Sequence, residues 1–188
     1  MDVTLTIVLV IAALFVGGAV AWYLQRQHRS RQLRERFGPE YDRARMEAGD
    51  ARRAEENLAA RQDRVEKLHI RSLTAAEANR FGEVWRHIQT LFVDDPHGAI
   101  QEADQLVNEV MTAKGYPMAD FQQRAADISV DHPVVVEHYR EARVIAERNK
   151  AEAASTEDLR QAVIHYRALF EDLLEQKPTE MKPVHARR

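Results

Sequence analysis

The hydrophobic positions of this chain follow two different patterns. From Val3 to Leu24 they form one run of 22 residues without a charged side chain. Beyond Gln25 they recur every three or four residues, the spacing that places them on one face of an α-helix. No stretch alternates residue by residue as a half-exposed strand does. We therefore predict an all-α protein with a single N-terminal transmembrane helix, a helical stalk and a compact bundle of about five helices.

The first pattern predicts a membrane anchor, since about 20 apolar residues suffice to cross the hydrocarbon core as a helix. Trp22 and Tyr23 end the run where an aromatic belt is expected, and Arg26, Arg29 and Arg31 follow. We predict that these five side chains lie at the membrane interface. By the positive-inside rule, the arginine-rich flank stays in the cytoplasm. The prediction is a single-pass protein of the cell membrane, with its N-terminus outside and its C-terminal domain cytoplasmic.

A cleaved signal peptide is the alternative interpretation of the same run. Ala19-Val20-Ala21 has the small-x-small form of a cleavage site. However, Met1-Asp2 is acidic where a signal peptide carries positive charge, and the basic cluster follows the apolar run, as in a stop-transfer sequence. These features favour an uncleaved anchor. Cleavage after Ala21 stays open, and it would make the chain an exported, envelope-facing protein.

Changes in composition divide the chain into five predicted segments. They are a transmembrane anchor (1–24), a basic juxtamembrane segment (25–36), a charged helical stalk (37–72), an all-α soluble domain (73–176) and a disordered tail (177–188). Gly49-Asp50 separates two stalk helices as a stop and an N-cap. Near-heptad spacing of small and apolar residues leaves two readings of the stalk open, a weakly pairing helix and a solvated linker.

Local signals mark where the helices of the domain begin. Thr74 and Glu77 form a capping-box pattern, Asp95-Pro96 combines an N-cap with a first-turn proline, and Ser155 opens the last helix. Asp131 is predicted to cap the fourth helix, and Gly115 to end the second. The predicted inward positions are Phe81, Val84, Trp85, Ile88, Leu91 and Phe92, then Ile100, Ala103, Val107 and Val110, then Phe121, Ala125 and Ile128, then Val135, Tyr139, Ala142 and Ala146, and finally Leu159, Val163, Tyr166, Phe170 and Leu173.

Charge and composition exclude several classes of function. Residues 37–188 carry 22 basic and 28 acidic side chains, an acidic balance that disfavours a nucleic-acid surface. The chain contains no cysteine, which excludes disulfides, thiolate metal sites and cysteine nucleophiles. Glycine-rich phosphate loops and the common hydrolase and metalloprotease motifs are also absent from the sequence.

The histidines are the remaining candidates for chemistry. Glu66 and His69 have the spacing of a carboxylate-bridged metal site, but such sites need two of these motifs. His132, His138 and His165 could together form an unfamiliar catalytic site, and turn or packing roles explain them more simply. We predict no catalytic, cofactor-binding or metal-binding residue, and no cofactor.

Several stretches after the anchor resemble a group of uncharacterised bacterial membrane-anchored proteins. They are Arg36-Phe-Gly-Pro-Glu-Tyr-Asp42, Arg64-Val-Glu-Lys-Leu68, Phe92-Val-Asp-Asp-Pro96, Ala125-Ala-Asp-Ile-Ser-Val-Asp-His-Pro133 and Ser155-Thr-Glu-Asp-Leu-Arg-Gln161. The resemblance implies the same layout of anchor, charged stalk and helical domain. It implies no activity and no binding residue.

Three functions are compatible with these observations. The leading one is a non-enzymatic interaction or scaffolding module, tethered to the lipid bilayer and binding a protein partner. The second is an exported helical protein, and the third is an enzyme with an unfamiliar site around the histidines. The anchor, the stalk and the lack of a catalytic motif favour the first.

Overall fold

A computed structural model of the protein describes residues 3–175, with the backbone alone at residues 3–10, 12 and 13. Over this range the chain forms eight α-helices and no strand, which confirms the all-α prediction. The predicted disordered tail and ten side chains of the predicted membrane span lie outside the described residues. Within the described part of the chain, none of the helices combines the length and the apolar character needed to cross a membrane.

The chain divides into two compact units, one ending at Ala59 and the other beginning at Ala60. The first unit contains α1 (Val3–Phe37), α2 (Pro39–Ala48) and the start of α3 (Ala51–Val65). Gly38, at φ 47°, separates α1 from α2, and Pro39 occupies the first turn of α2. Gly49 ends α2 in the left-handed conformation, at φ 68°.

Buried apolar side chains occur in the first unit, where the sequence predicts only a basic segment and a stalk. They include Leu33 and Phe37 near the end of α1, Tyr41 and Ala44 on α2, and Leu58 on α3. Helices α1 and α2 pack against each other, because the break at Gly38 turns the chain back. The carboxylate of one α3 residue, Glu55, accepts hydrogen bonds from Ser30 at 2.6 Å and from Tyr41 at 2.9 Å.

The second unit contains the five helices expected from the sequence. They are α4 (Ala75–Asp94), α5 (Pro96–Lys114), α6 (Phe121–Asp131), α7 (Val136–Lys150) and α8 (Thr156–Leu174). Most of the caps are those predicted: Thr74 and Glu77 form a capping box, Asp95 caps α5, and Ser155 caps α8. Gly115 ends α5 at φ 99°, where a side chain would meet the His69 carbonyl oxygen. Local capping therefore sets the bounds of most of these helices.

One hydrophobic core runs through this second unit. Helix α5 packs against α4, α7 and α8, and α7 packs against α6 and α8. The largest fully buried side chains of this core include Phe81, Ile88, Ile100, Leu106, Met111, Ile128, Tyr139, Leu159, Tyr166 and Phe170. A polar contact crosses the same region, since Asp104 accepts hydrogen bonds from Tyr166 at 2.9 Å and from Arg143 at 2.7 Å. Three helices, α5, α7 and α8, are thereby joined by one carboxylate.

Two details of the predicted bundle are wrong. Asp131 does not cap the fourth helix: it is the last residue of α6, and its carboxylate accepts a hydrogen bond from the Tyr116 hydroxyl at 3.0 Å. Helix α7 begins only at Val136, after a turn that contains Pro133. Val84 is 38% exposed rather than inward, because it lines an open cleft with Glu102, Gln105 and Glu109 of α5.

Candidate functional site

The first candidate surface is the exposed apolar stretch of α1. Every residue from 14 to 24 is exposed, and Leu14, Phe15 and Val16 are exposed to at least 63%. Eleven consecutive helical residues cover the whole circumference of a helix with 3.6 residues per turn. Apolar side chains on every side of α1 are therefore open to the surroundings. A continuous apolar surface of this kind is typical of a membrane-contacting or partner-binding element.

The predicted membrane-interface residues lie at the end of this stretch and just beyond it. Trp22 and Tyr23 are 62% and 61% exposed. The Arg26 guanidinium lies 5.5 Å from the centroid of the Trp22 ring, within the range of a cation–π contact. Arg29 and Arg31 are also exposed. The Trp22 indole and these guanidinium groups thus lie at one end of the exposed apolar stretch.

An open cleft of about 400 Å³ brings three of these five residues together. Its lining consists of Trp22, Gln25, Arg26, Arg29, Arg52, Glu55 and Glu56. The α3 side of the cleft is already paired, because Arg52 donates to Glu56 at 2.9 Å and Glu55 accepts from Ser30 and Tyr41. The hydrogen bond from Arg52 to Glu56 raises the pKa of the Arg52 guanidinium, which stays charged. Guanidinium groups beside an indole suit a ligand with an anionic group and an apolar part.

The second candidate surface lies between α7 and α8. His138 and Glu141 are one turn apart on α7, and His165 faces them from α8. The two Nδ1 atoms are 3.0 Å apart, and the imidazole rings stack with centroids 5.1 Å apart. The Glu141 carboxylate oxygen lies 3.2 Å from Nδ1 of His165 and 3.9 Å from Nδ1 of His138. In this cluster, His138–Glu141–His165, three potential metal-ligand atoms all lie within 4.8 Å of one another.

The other histidines singled out by the sequence have different surroundings. His132 is 5% exposed, and its Nδ1 pairs with the Asp172 carboxylate rather than with His138 or His165. His69 is exposed beyond the end of α3, and Glu66 accepts a hydrogen bond from Gln62 at 2.9 Å. Neither His132 nor His69 belongs to the His138–Glu141–His165 cluster.

Sequence reasoning missed Glu141. The available signal was its spacing of three residues from His138 on a predicted helix, which places both side chains on one face. The approach of His165, which follows 27 residues later, depends on the packing of α8 against α7. That contact is tertiary and leaves no local pattern.

Comparison of the chain with known protein families, with curated proteins and with solved structures finds no match.

Proposed function

We propose that the protein is a single-pass membrane protein whose N-terminal helix holds the α4–α8 unit at the cytoplasmic face, where it binds a protein partner. The observation that carries the proposal is the exposed apolar stretch of α1, which ends in Trp22 and Tyr23 and is followed by arginine side chains. In water, this surface would be a large uncovered apolar area on a helix. A lipid bilayer would cover this apolar surface on every side of the helix. Packing against a single protein face would cover only one side.

The sequence of the remaining part of α1 supports an anchor of sufficient length. Residues 3–24 contain no charge, and helix α1 is continuous from Val3 to Phe37. At about 1.5 Å per residue, 22 residues extend about 33 Å, which matches the hydrocarbon core. The five arginines between residues 25 and 36 favour the cytoplasmic side for this end of the helix.

The cleft beside Trp22 supports a direct role for lipid head groups in positioning α1. Arg26 and Arg29 present two guanidinium groups on the α1 side, at the level where a phosphate group would follow the apolar stretch. Each basic side chain near an anionic membrane surface contributes about 1 kcal/mol of binding. The cleft thus fits an anionic phospholipid head group of the inner leaflet.

The α4–α8 unit is the part of the chain that we propose binds the partner. Its interior is filled by its own side chains. A compact helical unit on a short tether raises the local concentration of whatever it binds at the membrane. Cross-linking in intact membranes tests this part: a partner should be retained by the full chain and lost when residues 1–24 are deleted.

Extraction from membranes tests the anchor itself. The full chain should stay in the membrane fraction through high-salt and carbonate washes and be released only by detergent, whereas a chain lacking residues 1–24 should be released by the washes. Intact-mass measurement is the companion experiment. A mature chain that begins at Trp22 would contradict the proposal and establish signal-peptide cleavage.

A further inference from the structure

The three side chains of the His138–Glu141–His165 cluster bring three potential ligand atoms close together. The separations between the two Nδ1 atoms and the Glu141 Oε2 atom are 3.0, 3.2 and 3.9 Å. Three atoms with these separations are all about 2 Å from one common point. Zinc–nitrogen and zinc–oxygen bonds have a similar length, about 2.0–2.2 Å. The separations thus allow one metal ion to lie at bonding distance from all three atoms.

The chemistry of the three atoms also favours a cation at this point. A neutral imidazole nitrogen carries either a proton or a lone pair, so the facing Nδ1 atoms of His138 and His165 can share only one proton. The Glu141 carboxylate accepts and cannot donate when ionised. One proton can bridge only two of these three atoms. A divalent cation can instead accept a lone pair from each of the three atoms at the same time.

The scaffold holds the ligands on two packed helices. His138 is adjacent in sequence to Tyr139, and His165 to Tyr166, and both tyrosine side chains are fully buried in the core. Ligands on helices whose neighbouring residues are locked by packing are positioned more precisely than ligands on loops. At the surface, the side chains of His138 and Glu141 are 42% and 49% exposed, and that of His165 is 18% exposed. A metal ion can reach the point from solvent and keep water at its remaining positions.

We propose that His138, Glu141 and His165 form a binding site for one divalent transition-metal ion, with zinc as the ion that this ligand set fits best. Two imidazoles and one carboxylate suit zinc and its neighbours in the first transition row. Calcium and magnesium prefer sites made of oxygen ligands alone. The site revises the sequence-based prediction that the protein has no metal-binding residue, and it goes beyond the proposed membrane and partner functions.

A competition titration on the full chain tests the site. The tag-free protein in detergent, freed of metal by a chelator, is titrated with zinc in the presence of a chromophoric chelator. One zinc ion per chain is expected, and the bound state should melt at a higher temperature than the metal-free state. Calcium and magnesium at the same concentrations should neither compete with zinc nor change the melting temperature.

Three variants and one matched control locate the site. His138→Ala, Glu141→Gln and His165→Ala should each weaken zinc binding by at least about tenfold. His87→Ala removes an exposed histidine of α4 and should leave the affinity unchanged. Cobalt in place of zinc gives an independent signal, a visible absorption band that should be lost in the same three variants.

Several results would overturn the proposal. They are zinc binding that persists in His165→Ala, an equal loss of binding in His87→Ala, and a stronger response to calcium than to zinc. Glu141→Gln guards against variants that fail to fold, because this half-exposed, nearly isosteric change leaves the core untouched. If that variant melts like the metal-free protein and still binds zinc with unchanged affinity, the cluster is not the site.

Discussion

The indole ring of Trp85 on α4 stacks on the phenyl ring of Phe170 on α8, with ring centroids 5.2 Å apart and an angle of 26° between the planes. Both side chains are buried, with Phe170 2% exposed and Trp85 6% exposed. Offset stacking of this kind stabilises a pair by about 0.5–1.5 kcal/mol beyond the burial of its area. The apolar stripe of the last helix therefore faces the core of the α4–α8 unit and is not a free docking face.

Truncation of Phe170 tests this placement. Phe170→Ala should lower the free energy of unfolding by about 3–5 kcal/mol, because it removes a buried aromatic side chain and leaves a cavity beside Trp85. Arg167→Ala, three residues earlier on the exposed side of α8, should change it by no more than about 0.5 kcal/mol. Urea unfolding followed by circular dichroism measures both. Equal, small effects would mean that α8 is not part of the core.

A second prediction concerns Arg64, which pairs with a buried carboxylate. Its guanidinium lies 2.6 Å from Asp127 of α6, whose side chain is 1% exposed. Arg64→Ala should destabilise the second unit by about 1–3 kcal/mol, because the buried carboxylate loses a charged partner. Arg86→Ala on the exposed side of α4 is the matched control and should have little effect.

The Arg64–Asp127 pair bears on where a fragment that folds by itself should begin, because Arg64 lies before residue 73. A fragment of residues 60–176 retains Arg64 and should melt cooperatively without added metal. The fragment 73–176, which has the domain boundaries predicted from the sequence, lacks Arg64 and should melt at a lower temperature. Thermal denaturation of the two purified fragments makes the comparison. Equal melting temperatures would show that residues 60–72, with the Arg64–Asp127 and Arg71–Glu77 pairs, add no stability.

Buried tyrosines predict how the stability of the 60–176 fragment changes at alkaline pH. Burial raises the pKa of Tyr139 to about 12, and burial together with a neighbouring carboxylate raises the pKa values of Tyr116 and Tyr166 as well. The folded-state pKa of Tyr139 thus exceeds the ordinary value of 10.0. Its contribution to stability is complete below pH 10 and is lost as the pH rises toward about 12.

Unfolding of the fragment across this interval measures the effect. The free energy of unfolding should fall between pH 10 and about 12, and Tyr139→Phe should make the fall shallower. The fragment contains three tyrosines, Tyr116, Tyr139 and Tyr166, so ultraviolet absorbance of tyrosinate reports on these three alone. Complete ionisation at pH 10 while the fragment is still folded would contradict the burial of their hydroxyl groups.

The sequence predicted the features that depend on local chemistry. Thr74 with Glu77 is a capping box in the sequence and in the structure, and Ser155 caps α8 as predicted, because cap and helix lie within four residues of each other. The inward stripe of α8 follows from helical periodicity alone. Asp131 shows the limit of local signals. Its position just before Pro133 suggested an N-cap of the next helix, but it is the last residue of α6, and its carboxylate accepts a hydrogen bond from the Tyr116 hydroxyl.

Features that depend on distant contacts could not be predicted. Arg64 and Asp127 are 63 residues apart in the sequence, and His138 and His165 are 27 apart. Their approach depends on which helices pack together and in what register, and no spacing along the chain encodes it. The buried Phe37 and Leu33 were missed for the same reason: the charged residues around them resemble a solvated segment until α2 packs against α1.

Cysteine labelling in cells is the measurement that tests the membrane proposal most directly. The chain has no cysteine, so one introduced cysteine gives a unique label. Asp2→Cys places it before the apolar run, and Gln89→Cys places it on the exposed side of α4. A membrane-impermeant maleimide should label the Asp2→Cys protein in intact cells, and the Gln89→Cys protein only after the cells are permeabilised. Labelling of Gln89→Cys in intact cells, or a mature protein that has lost the Asp2→Cys site, would contradict a cytoplasmic domain held by an uncleaved anchor.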